Sequence, residues 1–150
     1  GLNNRLTDVG AAVGRVQLTK LAGWTKQRQE NAAFLNEGLA GVEGVVTPYV
    51  PEGYRHVYHQ YTIRFDGAGA GERDELQKAL REQWQVGSGV YYPIPNHRLD
   101  SLTKYAPGLE LPATEKAARE CLSLPVHPSL SQADLERIVE AVAAVVKAGA

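Results

Sequence analysis

The spacing of hydrophobic residues predicts a long helix at the start of the chain, from about Thr7 to Ala40, with a bend or interruption near Gly23. Val9, Val13 and Val16 form one apolar stripe early in this segment. A second stripe near its end contains Phe34, Leu35 and Leu39. A helix of about thirty residues is unusually long for so small a domain, so we expect it to span two domains or to cross a subunit interface.

Strict alternation over Val57–Phe65 predicts the clearest strand, whose apolar face carries Val57, His59, Tyr61, Ile63 and Phe65. A flexible glycine-rich turn follows at residues 66–71. The next helix has its inner side formed by Leu76, Ala79, Leu80 and Trp84. A second strand, Val86–Tyr91, then completes a βαβ-like unit.

The last third of the chain predicts a short helix over Ala113–Cys121 and a short edge strand at residues 123–125. The final helix begins at Ser131, with Asp134 three residues on as in a capping box. Its apolar stripe consists of Leu135, Ile138, Val139, Val142 and Val146. The predicted fold class is therefore α+β: a small sheet of about three strands covered by helices, with a long N-terminal helix.

Length and charge restrict the function classes. The 150 residues fit one domain with a real core, and a net charge of -1 with mixed signs excludes the basic surface of a nucleic-acid binder. No stretch is long enough for a membrane span. The single cysteine, Cys121, lies in a helical pattern, cannot form an internal disulfide and is expected to be a buried, inert thiol. The chain does not begin with methionine, which favours a piece of a longer protein.

The spacing of the histidines does not indicate a metal site. His56 and His59 would point to opposite faces of the predicted strand, so no metal site is expected. The most informative segment is Tyr92-Pro93-Ile94-Pro95-Asn96-His97, where two prolines enforce a stiff loop that ends in an imidazole. A stiff loop that presents Tyr92 and His97 suggests a ligand site; the alternative is that the prolines only set the loop geometry.

Two further features lie at the N-terminus. Asn3 and Arg5 precede the long helix, and an amide and a guanidinium beside a helix N-terminus could bind an anion such as phosphate. Ordinary capping and surface charge are the alternative.

Gly10 and Gly14 share one face of the predicted helix. Each glycine costs about 1 kcal/mol relative to alanine in a helix interior, and close approach of another backbone would explain why both are present. Sequence drift is the alternative.

The same residues resemble a known family. The segment at residues 1–18 is similar to the Gly-x-Asn-x-Arg…Asp…Ala-Ala…Gly…Gln-Leu pattern of the DegT/DnrJ/EryC1/StrS sugar aminotransferases. His56–Tyr61 resembles a strand of the family's smaller domain, and residues 89–97 resemble its Tyr-Pro-x-Pro-x-His loop. Residues 111–115 and 122–125 fit two later blocks, so the resemblance covers essentially the whole chain.

The resemblance implies a fold type I architecture and the cofactor pyridoxal 5'-phosphate. In family members the lysine that forms the Schiff base lies upstream, in the large domain, and no lysine here matches it, namely Lys20, Lys26, Lys78, Lys104, Lys116 or Lys147. Residues 1–150 therefore resemble the C-terminal small domain, including the long inter-domain helix at about 7–40. The large cofactor-binding domain is absent from these residues, no catalytic residue is assigned within them, and they alone should be inactive.

Site residues are implied one by one. Asn3 matches the family asparagine that reaches the cofactor phosphate of the partner subunit, whereas Arg5, Tyr92 and His97 match positions facing the substrate. The expected function is that of a cytoplasmic, homodimeric enzyme that transfers an amino group, from glutamate, to a nucleotide-linked keto sugar in polysaccharide or antibiotic sugar biosynthesis. A non-catalytic relative acting as a regulator or scaffold, and a helix-mediated interaction module, are the alternatives.

Overall fold

The computed structural model describes residues 5–149, which form an α+β fold. The helices are α1 (Asp8–Leu39), α2 (Ala70–Trp84), α3 (Asp100–Thr103), α4 (Pro112–Glu120) and α5 (Gln132–Gly149), with a 3-10 turn at Asn96–Arg98. The strands are β1 (Val45–Val46), β2 (Tyr61–Phe65) and β3 (Cys121–Leu124). The predicted fold class, with a small sheet and a long N-terminal helix, is confirmed.

The sheet is antiparallel throughout, with strand order β1-β2-β3. In β2, Tyr61, Ile63 and Phe65 are buried, while Thr62 and Arg64 between them lie on the other face. The buried face packs against apolar side chains from three helices, among them Leu35, Leu39, Leu80, Leu135, Ile138 and Val142. The opposite face of the sheet is therefore free of the core and available for a site.

Helix α1 has two unlike halves. Its N-cap is Thr7, whose hydroxyl accepts a hydrogen bond from the Gly10 amide at 3.1 Å. All of its buried residues lie at position 31 or later, and the early stripe of Val9, Val13 and Val16 is exposed. The predicted interruption at Gly23 is wrong, because one glycine costs only about 1 kcal/mol and the helix continues on both sides.

The predicted strand over Val57–Phe65 is wrong in its first half. Side chains of α1 occupy the carbonyl groups there: Arg28 Nη1 lies 3.1 Å from the Tyr58 oxygen, and Gln29 Nε2 lies 2.8 Å from the His56 oxygen. The Tyr58 amide donates to His56 Nδ1 at 2.8 Å, and Tyr58 has a φ of 48°. Backbone groups held in this way cannot join a strand ladder, so the strand begins at Tyr61.

The predicted second strand, Val86–Tyr91, and its βαβ-like unit are also wrong. Only Gly89 pairs there, through two 2.9 Å hydrogen bonds with Ser123 in an antiparallel bridge. Strand β2 instead lies between β1 and β3, and β3 comes much later in the chain. The inner side predicted for α2 is confirmed, because Leu80 is buried and Leu76, Ala79 and Trp84 pack against the core.

The position of Cys121 corrects the predicted helix over Ala113–Cys121. Helix α4 ends at Glu120, whose carboxylate accepts hydrogen bonds from Arg64 Nη1 at 2.6 Å and from the Gly67 amide at 2.9 Å. Cys121 is therefore the first residue of β3. The capping box of α5 is confirmed, because the Asp134 carboxylate accepts from the Ser131 amide while the Ser131 hydroxyl accepts from the Asp134 amide.

Candidate functional site

A cavity of about 560 Å³ lies on the face of the sheet that points away from the core. Thr62 of β2 and Ser123 of β3 form its floor, and their hydroxyl oxygens are 2.7 Å apart. One wall is the proline loop with Tyr91, Tyr92, Ile94, Pro95, Asn96 and His97. The opposite wall is helix α4, through Thr114, Ala117 and Ala118, together with Leu111.

The lining of this cavity is mostly apolar and carries few ionisable groups. Among residues 5–149, neither a lysine nor an arginine lines it, and neither does a carboxylate. Its polar side chains are mainly amides and hydroxyls, and those of Gln60, Asn96 and Thr114 accept or donate no hydrogen bond within residues 5–149. Such a lining suits an uncharged ring that carries hydrogen-bonding groups.

One carboxylate oxygen joins the two walls. Glu115 Oε1 lies 2.9 Å from His97 Nε2, and it accepts hydrogen bonds from Arg98 Nε at 3.1 Å and from Arg98 Nη2 at 2.8 Å. The hydrogen bond with His97, followed by those with Arg98, lowers the pKa of Glu115 from its usual 4.5 to about 2. Glu115 is therefore ionised at neutral pH and ties the end of the proline loop to the first turn of α4.

Cys121 also lines the cavity, but its thiol has low reactivity. The thiol is half-buried, and burial raises its pKa above the usual range. A raised pKa keeps the sulfur in the thiol form, which is a poor nucleophile. The expectation of an inert thiol therefore fits its surroundings, although it lies in a strand and beside a cavity rather than in a helix.

The structure brings together two of the four residues predicted for a site. Tyr92 and His97 line the same cavity; the Tyr92 residue is 75% exposed, whereas the His97 side chain is only 6% exposed. Arg5 is exposed, precedes α1 and does not line the cavity. Asn3 lies outside the described residues.

Sequence reasoning missed the sheet floor and Glu115. Thr62 and Ser123 are separated by 61 positions and meet only because β2 pairs with β3. Glu115 belongs to residues 111–115, which resemble the family, but the sequence alone assigns it no chemistry. The one available signal was the alternation in β2, which already put Thr62 on the face opposite Ile63.

A sequence profile of the DegT/DnrJ/EryC1/StrS aminotransferase family matches residues 1–143. The chain belongs to this family. The predicted resemblance is thereby confirmed.

Curated relatives of this DegT/DnrJ/EryC1/StrS chain have two kinds of name. A protein of Geobacillus stearothermophilus named pleiotropic regulatory protein is 42% identical over 95% of the chain. A UDP-N-acetyl-3-dehydro-alpha-D-glucosamine 3-aminotransferase of Acidithiobacillus ferrooxidans is 33% identical over 92%, and a dTDP-3-amino-3,4,6-trideoxy-alpha-D-glucose transaminase of Micromonospora megalomicea is 34% identical over 97%. The chain spans 38%, 35% and 39% of these three relatives.

Two solved aminotransferase structures share the fold of this chain. DesV of S. venezuelae, solved in complex with a ketimine intermediate, superposes with a TM-score of 0.88 at 33% identity and covers 98% of the chain. An aminotransferase from Brucella abortus superposes with a TM-score of 0.82 at 35% identity and covers 95%. The chain covers 38% and 36% of these two structures.

The described residues of this family member do not form a complete site for the cofactor that the family implies. A pyridoxal phosphate site needs a lysine amine for the Schiff base and donors for a phosphate. Every lysine of the chain lies within residues 5–149, and none lines the cavity. Lys116, for example, is 2.9 Å from Asp66 Oδ1 in an ion pair. No step through the cofactor is therefore derived from these residues.

Proposed function

We propose that the chain is the C-terminal small domain of a pyridoxal-phosphate-dependent aminotransferase that acts in the cytoplasm on a nucleotide-linked keto sugar. The names of two relatives support the substrate class, because one contains a 3-dehydro sugar on UDP and the other an amino sugar on dTDP. As the amino donor we propose glutamate. The names describe those relatives, and their coverage of nearly the whole chain is what favours the same chemistry here.

One observation carries the proposal: the proline loop forms a wall of an open, largely uncharged cavity. A sugar ring offers hydroxyl groups and apolar C–H faces, which suit unpaired amides and hydroxyls next to aromatic side chains. Tyr92 is placed at such a wall with most of its surface available. We therefore propose that Tyr92 and His97 contact the sugar part of the substrate. Because no lysine or arginine among the described residues lines the cavity, we propose that the diphosphate is bound elsewhere, with Arg5 as one candidate.

The remaining parts of the site would come from outside these residues. The lysine would lie in a large domain that precedes Gly1, where it holds the cofactor that acts as electron sink. We propose that Asn3 contacts the phosphate of the cofactor bound by the partner subunit of a homodimer. Support comes from the exposed apolar side chains on the first half of α1, which follow directly after Asn3 and Arg5.

The test is to express the reading frame together with its upstream sequence, with the 150-residue chain alone as a matched control. We expect the longer protein to hold pyridoxal phosphate on a lysine, detected by borohydride reduction and mass spectrometry. It should form glutamate from 2-oxoglutarate and dTDP-3-amino-3,4,6-trideoxyglucose or a related amino sugar nucleotide. The short chain should do neither. A longer protein that holds no cofactor on a lysine and forms no glutamate would contradict the proposal.

A second candidate is a non-catalytic regulator or scaffold with the same fold. The specific observation in its favour is the 42% identical relative named pleiotropic regulatory protein. The upstream sequence separates the two candidates, because a regulator of this kind would lack the lysine. If the lysine is absent, the cavity would serve recognition alone.

A helix-mediated interaction module is favoured by a different observation, the exposed apolar stripe of Val9, Val13 and Val16. Size-exclusion chromatography of the 150-residue chain, with and without a co-expressed N-terminal half, tests it. A stable monomer that ignores the N-terminal half would favour the module, and co-elution of the two halves would favour the enzyme.

A further inference from the structure

The contact between Glu115 and His97 determines which ring nitrogen of His97 can accept a hydrogen bond from a ligand. An ionised carboxylate can only accept hydrogen bonds. The 2.9 Å contact between Glu115 Oε1 and His97 Nε2 therefore requires a proton on Nε2. In the neutral ring the other nitrogen, Nδ1, is then an acceptor with no hydrogen attached.

Nδ1 of His97 is not fully enclosed by the protein. It forms no hydrogen bond within residues 5–149. Of the buried side-chain nitrogen and oxygen atoms in that part of the chain, only Ser88 Oγ lacks a partner, so Nδ1 is not a sealed atom. Since His97 lines the cavity, a ligand in the cavity would lie next to this residue.

Arg98 explains why the carboxylate stays in place. It donates two hydrogen bonds to the same Glu115 oxygen, at 3.1 and 2.8 Å, and its own side chain is 45% exposed. The Glu115 side chain is 25% exposed, while the His97 side chain is 6% exposed. Arg98 therefore holds the same carboxylate oxygen that contacts the nearly buried His97 ring.

We propose that Glu115 is a positioning residue that fixes the His97 proton on Nε2, so that Nδ1 accepts a hydrogen bond from a hydroxyl group of the sugar in the cavity. This deepens the proposed function and rests on it for the identity of the ligand. The state of the ring itself is independent of that function. The ligand class is a hydrogen-bond donor, and a group that can only accept, such as a carboxylate, would be disfavoured at this position.

The first test reads the ring directly, by long-range ¹H–¹⁵N NMR on the ¹⁵N-histidine-labelled protein of 150 residues at about pH 8.5, well above the usual pKa of histidine. We expect His97 to favour the Nε2–H form about tenfold or more, as a hydrogen bond to a charged acceptor implies. The exposed His59 serves as an internal reference in the same spectrum. An Nδ1–H form, a charged ring, or a ratio equal to that of His59 would overturn the proposal.

Variants separate the positioning of the proton from mere support of the loop. In Glu115→Ala the ratio at His97 should fall to that of His59, and in Glu115→Gln it should fall about fivefold, because a neutral acceptor binds more weakly. Arg98→Ala removes a donor from the same oxygen and should leave the ratio unchanged. An unchanged ratio in both Glu115 variants would overturn the proposal, and the wild-type measurement decides it if neither variant folds.

The second test concerns the ligand. In the longer protein, Glu115→Ala should raise KM for the amino sugar nucleotide about tenfold, with a smaller change in kcat, because a ground-state contact is lost. A fixed Nε2–H form in a protein without transamination would overturn the proposed function and leave the role of Glu115 toward His97 standing. Transamination with an unchanged KM in Glu115→Ala would overturn the ligand contact and leave the proposed function standing.

Discussion

The side chains of the cavity depend on partners that are remote along the chain. Tyr92 and His97 could be predicted because the prolines between them stiffen a local segment. Glu115 is 18 positions from His97, and Thr62 is 61 positions from Ser123. A single sequence holds no signal for such pairs, since they exist only after α4 and β3 have packed. Local stiffness is thus readable from the sequence, whereas the partner of a stiff loop is not.

Glu115 should make the stability of the protein depend on pH in the acid range. Its pKa is lowered from 4.5 to about 2, so its stabilising contribution is complete above pH 4.5 and is lost as the pH falls toward 2. We expect urea unfolding, followed by circular dichroism, to show a difference between wild type and Glu115→Gln that shrinks over this interval. A difference that stays constant from pH 5 to about pH 2 would contradict this assignment.

Asn3 can be tested in the longer protein although it lies outside the described residues. If its amide contacts the cofactor phosphate, Asn3→Ala should weaken the retention of pyridoxal phosphate about tenfold, as the loss of a hydrogen bond to a charged group implies. The measurement is the free cofactor released during dialysis, and Asn4→Ala is a matched control next to it. Equal retention in wild type and Asn3→Ala would show that the amide does not serve the phosphate.

Among the elements, the long amphipathic segments were predictable and the short ones were not. Helix α5 was predicted from a continuous apolar stripe and its capping box, and Leu135, Ile138 and Val142 of that stripe are buried. The strand predicted at residues 57–60 failed because Arg28 of α1 donates hydrogen bonds to the carbonyl groups of Tyr58 and His59. Strand β1 has two residues, too few to form a pattern. Alternation of apolar and polar residues indicates a preference for a strand. Side chains that are distant in the sequence can still prevent the strand by binding its backbone groups.

Gly38 provides the sharpest test of helix packing between α1 and α5. A Cβ added there would lie 2.7 Å from Val139 Cγ2, so Gly38→Ala should destabilise the protein by about 1–2 kcal/mol. Gly23→Ala is the matched control, because within residues 5–149 nothing beyond the adjacent residues and backbone of α1 lies within 4 Å of its added Cβ. That variant should stabilise by about 1 kcal/mol, and chemical denaturation measures both.

The double variant Gly38→Ala with Val139→Ala should recover part of the loss, because it removes the methyl groups that clash. If Gly38→Ala proved as stable as Gly23→Ala, the close approach of α1 and α5 would be refuted. The sequence predicts a close approach at Gly10 and Gly14, yet within the described residues it is Gly38 that has a neighbour too near for a side chain.

On the scale of the whole molecule, one half of α1 belongs to the core and the other half is left without intramolecular cover. Exposed apolar residues accumulate on the first half, including Leu18 at 68% and Leu21 at 53% exposure. The fold class was predictable because it follows from the long periodic segments. The strand order was not, since β2 pairs with a strand that follows it by more than fifty residues. Among the described residues, no helix is both long and apolar enough to span a bilayer.

Gly14 tests the proposal that this half of α1 meets another subunit. Gly14→Leu in the longer protein should weaken the homodimer about tenfold or more, because a bulky side chain would enter a close helix contact. Gly23→Leu is the control, since nine residues place it on the opposite side of the helix. Sedimentation velocity reads the result. A dimer of undiminished strength in Gly14→Leu would show that no close contact exists at Gly14.

The hydrogen bonds from α1 to residues 56–59 link the position of this segment to that of the helix. Arg28 and Gln29 hold the carbonyl groups of His56 and Tyr58, and Gln60, two positions further, lines the cavity. Helix α1 has 32 residues and is therefore about 48 Å long. Its N-terminal end extends far from the sheet. A tilt of α1 would therefore also shift residues 56–59, and with them the adjacent Gln60 at the cavity.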